Sequence, residues 1–260
     1  MRKYSQFMQS RCGKWYPTAK HTGLHGKDKK YLSNYGQAYG EWAEPESVHH
    51  MTWKDCAVPH PETATAYTAH VMDCMEEIES VLGNKTEAKK YHDFASGCRS
   101  SYQALRRTCA YPLDTDRQAQ LVRPLAFDLL DKTQKEFAQK RLVSALKHFD
   151  WCIGTGFLST PLIMKVLTDI DLEAAYHLLE NEKMPGWLFM PKSGATTIWE
   201  AWEGNTTENS GIASLNHYSK GAVVAWLFDT MCGIHIDGEN HFTIAPNPGG
   251  HFTYAEAAYC

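Results

Sequence analysis

The densest set of side chains able to do chemistry lies in Gly194-Ala-Thr-Thr-Ile-Trp-Glu-Ala-Trp-Glu-Gly204. Glu200 and Glu203 supply carboxylates, and Trp199 and Trp202 flank them with indole surface. A carboxylate beside an indole loses solvation, which favours its protonated form and suits it to general acid–base work. Cleavage of a glycosidic bond generally uses two carboxyl groups on opposite sides of that bond. A sugar's apolar ring face also stacks well on tryptophan. The plainer reading is a solvated loop glutamate between two tryptophans that anchor the loop, and spacing alone favours it. Just downstream, Ser214-Leu-Asn-His-Tyr218 opens a helical pattern. Asn216 and His217 would sit in its first turn, where side chains and free N–H groups can face a pocket, although a histidine there more often caps or lies on the surface.

Other chemistries lack a motif. His49 and His50, with Cys56 and His60 nearby, show no zinc-type spacing, and HExxH, GxSxG, P-loop and GxGxxG patterns are all missing. No metal and no cofactor is therefore expected. The net charge of −4 argues against a nucleic-acid partner, and the one dense basic stretch, Lys27–Lys30, is broken by Asp28 and reads as a solvated turn. No apolar run approaches the ~18 residues that a membrane crossing needs. Met1 to Cys12 is polar, without the apolar core of a signal peptide. Eight cysteines without a CxxC pair read as free thiols in a reducing compartment, so a cytoplasmic location is expected.

The residues that would position the Glu200 segment follow helical periods. Residues 1–61 are irregular by pattern. From Glu62 to Leu82 the spacing of Tyr67, Val71, Met75, Ile78 and Leu82 predicts a helix, closed by Gly83. Asn84 and Glu87 offer a capping box to the next helix, whose inward face is Ala88, Tyr91, Ala95, Cys98, Tyr102 and Leu105. A helix interrupted by Pro124 follows between Asp116 and Leu130, then one capped by Thr133 and Glu136 with Ala138, Leu142, Ala145, Leu146 and Phe149 inward. Thr160-Pro161 starts another, toward Ile170, and Leu172–Glu182 a shorter one. Lys183–Ile212 reads as a long loop and Ser214–Cys232 as a last helix. After Gly233 the period changes: His241–Ala245 reads as a strand, Pro246–Gly250 as a turn, and Phe252–Tyr254 as the start of a second strand. Helical hairpins with no self-similar period suggest a ring whose active site lies where long loops converge.

Several segments together resemble the second half of the catalytic domain of bacterial α-L-rhamnosidases. In order they are Gly154-Thr-Gly-Phe-Leu-Ser-Thr-Pro-Leu162, Trp187-Leu-Phe-Met190, Gly194–Glu200, Ser214–Tyr218 and Ile244-Ala-Pro-Asn-Pro-Gly-Gly250. Upstream, Tyr39-Gly-Glu-Trp-Ala-Glu-Pro45 resembles that family's Tyr-Gly-Asp-Trp segment. The resemblance implies a mainly α fold: a partial (α/α)6 toroid of the six-hairpin glycosidase type over 1–235, then the first strands of a C-terminal β-sandwich over 236–260. It implies inverting hydrolysis of terminal α-L-rhamnose from a glycoside or polysaccharide. Glu200 falls on the family's general base, His217 on a sugar-contacting histidine and Trp42 on an aromatic of the rhamnose pocket, with Trp53 as an alternative. Trp199 would line the same site.

The departures are specific. The family's general acid lies in an Asp-x-x-x-Glu-x-x-Gly-Trp motif that this sequence lacks. Glu41, Glu44 and Glu203 are possible stand-ins, none in a matching context. Ala201 stands where the family often has arginine. A ring of roughly twelve helices averaging ~11–12 residues needs more chain than is present here. The missing N-terminal segment could therefore act as a separate partner chain. Two other readings stay open: a different (α/α)6 glycosidase, and a non-catalytic helical sugar-binding or scaffold module.

Overall fold

A computed structural model describes residues 1–204 and 213–259 of the chain. The end of the connection read as Lys183–Ile212, and Cys260, lie outside the described residues. The helices are α1 (Arg2–Arg11), α2 (Gly26–Lys30), α3 (Trp53–Cys56), α4 (Pro61–Val81), α5 (Lys85–Leu105), α6 (Ala119–Ala126), α7 (Lys132–His148), α8 (Thr160–Ile170), α9 (Leu172–Leu179) and α10 (Phe189–Lys192). A 3-10 turn (Tyr218–Ala222), α11 (Val223–Trp226) and a π turn (Leu227–Met231) precede the strands β1 (Ile234–Gly238) and β2 (His241–Ile244). No helix among the described residues is long and apolar enough to cross a membrane.

Several elements differ from the sequence expectation, each for a local reason. The start of the chain is helical over Arg2–Arg11, and Arg2 reaches Glu79 of α4 at 2.5 Å. The buried line of α4 runs through Ala66, Ala69, Met72, Met75 and Glu79, leaving Ile78 and Leu82 exposed. Glu79 can lie inward because Arg2 and Asn84 both donate to it. That commitment takes the Asn84 amide away from capping α5. For α7 the cap lies ahead of Thr133: Asp131 accepts from the Gln134 N–H at 2.9 Å and Gln134 returns an acceptor to the Asp131 N–H. The expected helix over Ser214–Cys232 is broken into 3-10, α and π turns. His241–Ile244 pairs backward with Ile234–Gly238, and Phe252–Tyr254 is not a strand. Gly233 permits that reversal, since a Cβ there would strike the Ala245 carbonyl carbon at 2.1 Å.

The chain forms two compact units. The first comprises Met1–Trp42, Met51–Asp116 and Gln120–Leu142. Its centre is the α4–α5 hairpin, where Met72, Met75, Tyr91 and Ala95 pack with Met8, Val71 and Phe94. Every inward residue expected of α5 is buried. The second unit comprises Ala43–His50, Arg117–Ala119 and Val143–Cys260. Here Tyr176 packs edge-on to Trp226, whose indole N–H donates to Thr168 at 2.8 Å. The tail after β2 docks on α9, with the Tyr176 hydroxyl donating to the Asn247 carbonyl.

Candidate functional site

In the second unit the segments around Glu200 and His217 run side by side in opposite directions. The Glu200 N–H donates to the Ser214 carbonyl at 2.9 Å and the His217 N–H to the Ile198 carbonyl at 2.8 Å. Thr197 adds a hydroxyl bond to the Leu215 carbonyl. Backbone pairing therefore brings the two residues onto one small platform. The Glu200 carboxylate accepts from the Ser214 N–H through Oε2 at 2.8 Å. Its other oxygen has no hydrogen-bond partner among the described residues, and the residue is half-buried.

His217 caps the 3-10 turn instead of lying inside a helix. Its Nδ1 accepts from the Ser219 N–H at 3.3 Å and lies 2.9 Å from the Ser219 hydroxyl. The ring stacks between Phe157 (4.7 Å) and Tyr218 (5.1 Å). With Nδ1 receiving the backbone N–H, Nε2 is the ring atom left to meet a ligand.

The two tryptophans expected beside Glu200 divide their roles. Trp199 is half-buried, edge-on to Phe189, and its ring lies over Gly204, where an added Cβ would meet it at 2.3 Å. Gly204 also has φ +67, so both its conformation and the indole exclude a side chain. Trp202 is fully buried and not a sugar-facing surface. Its indole N–H donates to the Thr155 carbonyl at 2.7 Å, and its ring meets Trp187 edge-on. Sequence spacing could not separate these roles, because both residues flank the same glutamates.

Thr155 belongs to the Gly154-Thr-Gly-Phe157 segment, which serves as the shelf beneath the site. Gln118 clamps that segment, donating to the Cys152 carbonyl at 2.9 Å and accepting from the Gly154 N–H at 2.8 Å. Phe157 then backs His217. Lys220, also fully buried, places its ammonium 4.5 Å from the Trp202 ring centre and 5.4 Å from that of Phe157, and donates to the Ala43 carbonyl at 2.7 Å. Sequence reasoning missed Gln118, Phe157 and Lys220. Only Lys220 left a signal, as a lone cation three residues after His217 in an otherwise small and apolar run.

The possible stand-in acids are all engaged as acceptors. Glu203 accepts from the Glu46 N–H at 2.8 Å. Glu44 is buried and pairs with Arg117 through both oxygens. Glu41, in the first unit, is buried against Arg123. Arg123 also reaches Glu62 at 2.5 Å, and Tyr102 donates to Glu62 at 2.5 Å. Burial pushes the Glu62 carboxyl up, but Arg123 and Arg106 more than offset that and hold it below its ordinary range. Burial, with Glu41 adding to it, pushes the Tyr67 hydroxyl up to about 12.

Trp42 also lies in the first unit, half-buried, with its ring centre 5.4 Å from Tyr39 and 5.9 Å from Trp53. Tyr39 and Trp53 are largely exposed. Trp42 and Trp53 therefore belong to one aromatic cluster. Among the described residues no group of three or more His, Cys, Asp or Glu side chains could hold a metal ion.

The chain is similar to known proteins. The chain is 32% identical over 228 residues to an α-L-rhamnosidase of Streptomyces avermitilis, covering 85% of this chain and 21% of that protein. It is 30% identical over 241 residues to one of Formosa agariphila, covering 90% and 26%. The chain thus spans about a quarter of the length of these curated relatives. Among solved structures, the S. avermitilis α-L-rhamnosidase complexed with L-rhamnose matches with a TM-score of 0.76 and 26% identity over 96% of this chain and 22% of that one. The native Aspergillus terreus α-L-rhamnosidase matches at 0.67 and 30%, over 74% and 23%. The model of the bacterial α-L-rhamnosidase six-hairpin glycosidase domain covers residues 9–231, and the chain belongs to that family.

Proposed function

We propose that this chain supplies the general-base half of an α-L-rhamnosidase active site, for inverting hydrolysis of terminal α-L-rhamnose from a glycoside or polysaccharide. The observation that carries this reading is the Glu200 carboxylate. One oxygen is fixed by the Ser214 N–H and the other has no hydrogen-bond partner among the described residues, an arrangement that suits a base taking a proton from water. Glu200 removes the water proton, and His217 uses Nε2 to hold sugar hydroxyls. Trp199 gives apolar surface for the sugar ring. The general acid comes from the part of the relatives' length that this chain does not span, with Glu41, Glu44 and Glu203 each held elsewhere. That segment, as a separate chain, is the partner this reading calls for.

The test is calorimetric titration of the chain with L-rhamnose, followed by an aryl α-L-rhamnoside assay with and without the preceding domains of a relative. Binding of L-rhamnose and turnover only after complementation are expected, with the β-anomer released first in a proton NMR time course. No binding together with no turnover in the complemented mixture would remove the reading in favour of a scaffold role.

A further inference from the structure

We propose that Lys220 is a positioning residue for the Glu200–His217 platform, its ammonium acting as the common anchor of three separate chain segments. The first segment is the loop carrying Glu200, reached through the Trp202 ring at 4.5 Å. The second is the shelf residue Phe157, whose ring lies 5.4 Å from the ammonium and stacks on His217. The third is the Ala43 turn, whose carbonyl accepts from Nζ at 2.7 Å. Ala43 has φ +55, a left-handed conformation unfavourable for a residue with a Cβ, and a bond to its carbonyl helps hold it there.

The backbone of Lys220 is fixed as well, because its carbonyl accepts from the Trp187 indole N–H at 2.8 Å and Trp187 packs on Trp202. A fully buried lysine side chain is expensive to desolvate, so its retention requires compensating partners. Two ring faces and a carbonyl are among them. An apolar side chain of the same length would fill the space without orienting any of the three. Lys220 is not placed to touch substrate. It acts through Trp202 on Glu200, through Phe157 on His217, and through Ala43 on the turn.

The test compares the chain with its Lys220→Met and Lys220→Arg variants by hydrogen exchange and mass spectrometry, with L-rhamnose titration as a second arm. Lys220→Met should speed exchange about tenfold or more in residues 43–46 and 198–204 while residues 72–95 stay as protected as before. Lys220→Arg, which keeps a cation and a donor, should restore most of that protection. The ligand arm rests on the rhamnoside reading: the L-rhamnose Kd should rise roughly tenfold in Lys220→Met and less in Lys220→Arg. Exchange that is equal in all three proteins overturns the proposal, whether or not L-rhamnose binds. Localised loss of protection without any rhamnose binding by the parent chain upholds Lys220 and overturns the rhamnoside reading instead. Should Lys220→Met fail to fold, Lys220→Gln, which keeps a donor to Ala43 but no charge, gives the same comparison.

Discussion

Glu200 and Ser214 exchange two hydrogen bonds: the Glu200 N–H donates to the Ser214 carbonyl at 2.9 Å, and the Ser214 N–H donates back to the Glu200 carboxylate at 2.8 Å. The carboxylate is thereby held by the backbone of the very segment that leads to His217. Replacing Glu200 with Gln in an enzyme complemented with its remaining domains should lower kcat by ~10²–10⁴, the usual contribution of an acid–base group. Near-parental turnover on an aryl rhamnoside would take Glu200 out of the mechanism.

His217 should behave differently. Its Nδ1 is occupied by Ser219 and its ring is held by Phe157, which leaves Nε2 as the ring atom proposed to meet sugar hydroxyls. His217→Ala in the complemented enzyme is expected to raise KM with a smaller fall in kcat, the signature of lost uniform binding. A collapse of kcat at constant KM would make it a proton-transfer residue.

Trp202 lies two residues from Glu200, yet the structure predicts a stability role for it. It is fully buried and its indole N–H satisfies the Thr155 carbonyl. Trp202→Ala should destabilise the chain by about 3–5 kcal/mol, from the cavity left behind. Urea unfolding followed by circular dichroism reads this directly, and a loss below about 1 kcal/mol would contradict the packing described.

How much of this was legible in the sequence depends on the kind of information each residue carries. The inward face of α5 could be read because a long helix buries one stripe at fixed spacing. The buried line of α4 was misplaced because Glu79 counts as polar in any pattern, whereas a guanidinium from Arg2 and an amide from Asn84 make its burial tolerable. The Glu200 and His217 segments were found by motif, but their backbone pairing is a tertiary fact with no local signal. Lys220 stands out locally as a lone cation, but its partners do not, because its cation–ring contacts join residues 63 and 18 positions apart, as 157 to 220 and 202 to 220.

The Glu79 ion pair carries a pH dependence. Hydrogen bonds from Arg2 and Asn84 hold the Glu79 carboxyl at about 2, below its ordinary 4.5. A depressed carboxyl contributes stability that is present above its unfolded value and lost as pH falls toward the folded one. The melting temperature should therefore fall more steeply between pH 4.5 and 2 in the parent chain than in Glu79→Gln, where this group no longer titrates. Parallel profiles would show that the pair contributes nothing to anchoring α1 on α4.

The last prediction concerns the chain by itself, which should not hydrolyse rhamnosides at an enzymatic rate. Inverting hydrolysis needs one carboxylate to activate water and one carboxylic acid to protonate the leaving oxygen. In the proposed mechanism Glu200 is the first. The residues that could have served as the second are taken: Glu41 by Arg123, Glu44 by Arg117 and Glu203 by the Glu46 N–H. Freeing one of them would break a buried ion pair or a loop tie, and breaking a buried pair is typically destabilising by about 3–5 kcal/mol. The exposed apolar residues Tyr39, Trp53, Val81, Leu82 and Tyr218 also favour association. Gel filtration of the purified chain should accordingly show oligomers or aggregates, and an aryl rhamnoside should release no aglycone above background until the preceding domains are added. A monodisperse monomer with robust turnover would require an acid among these residues, and Glu41→Gln, Glu44→Gln and Glu203→Gln would then identify it by which one abolishes that turnover.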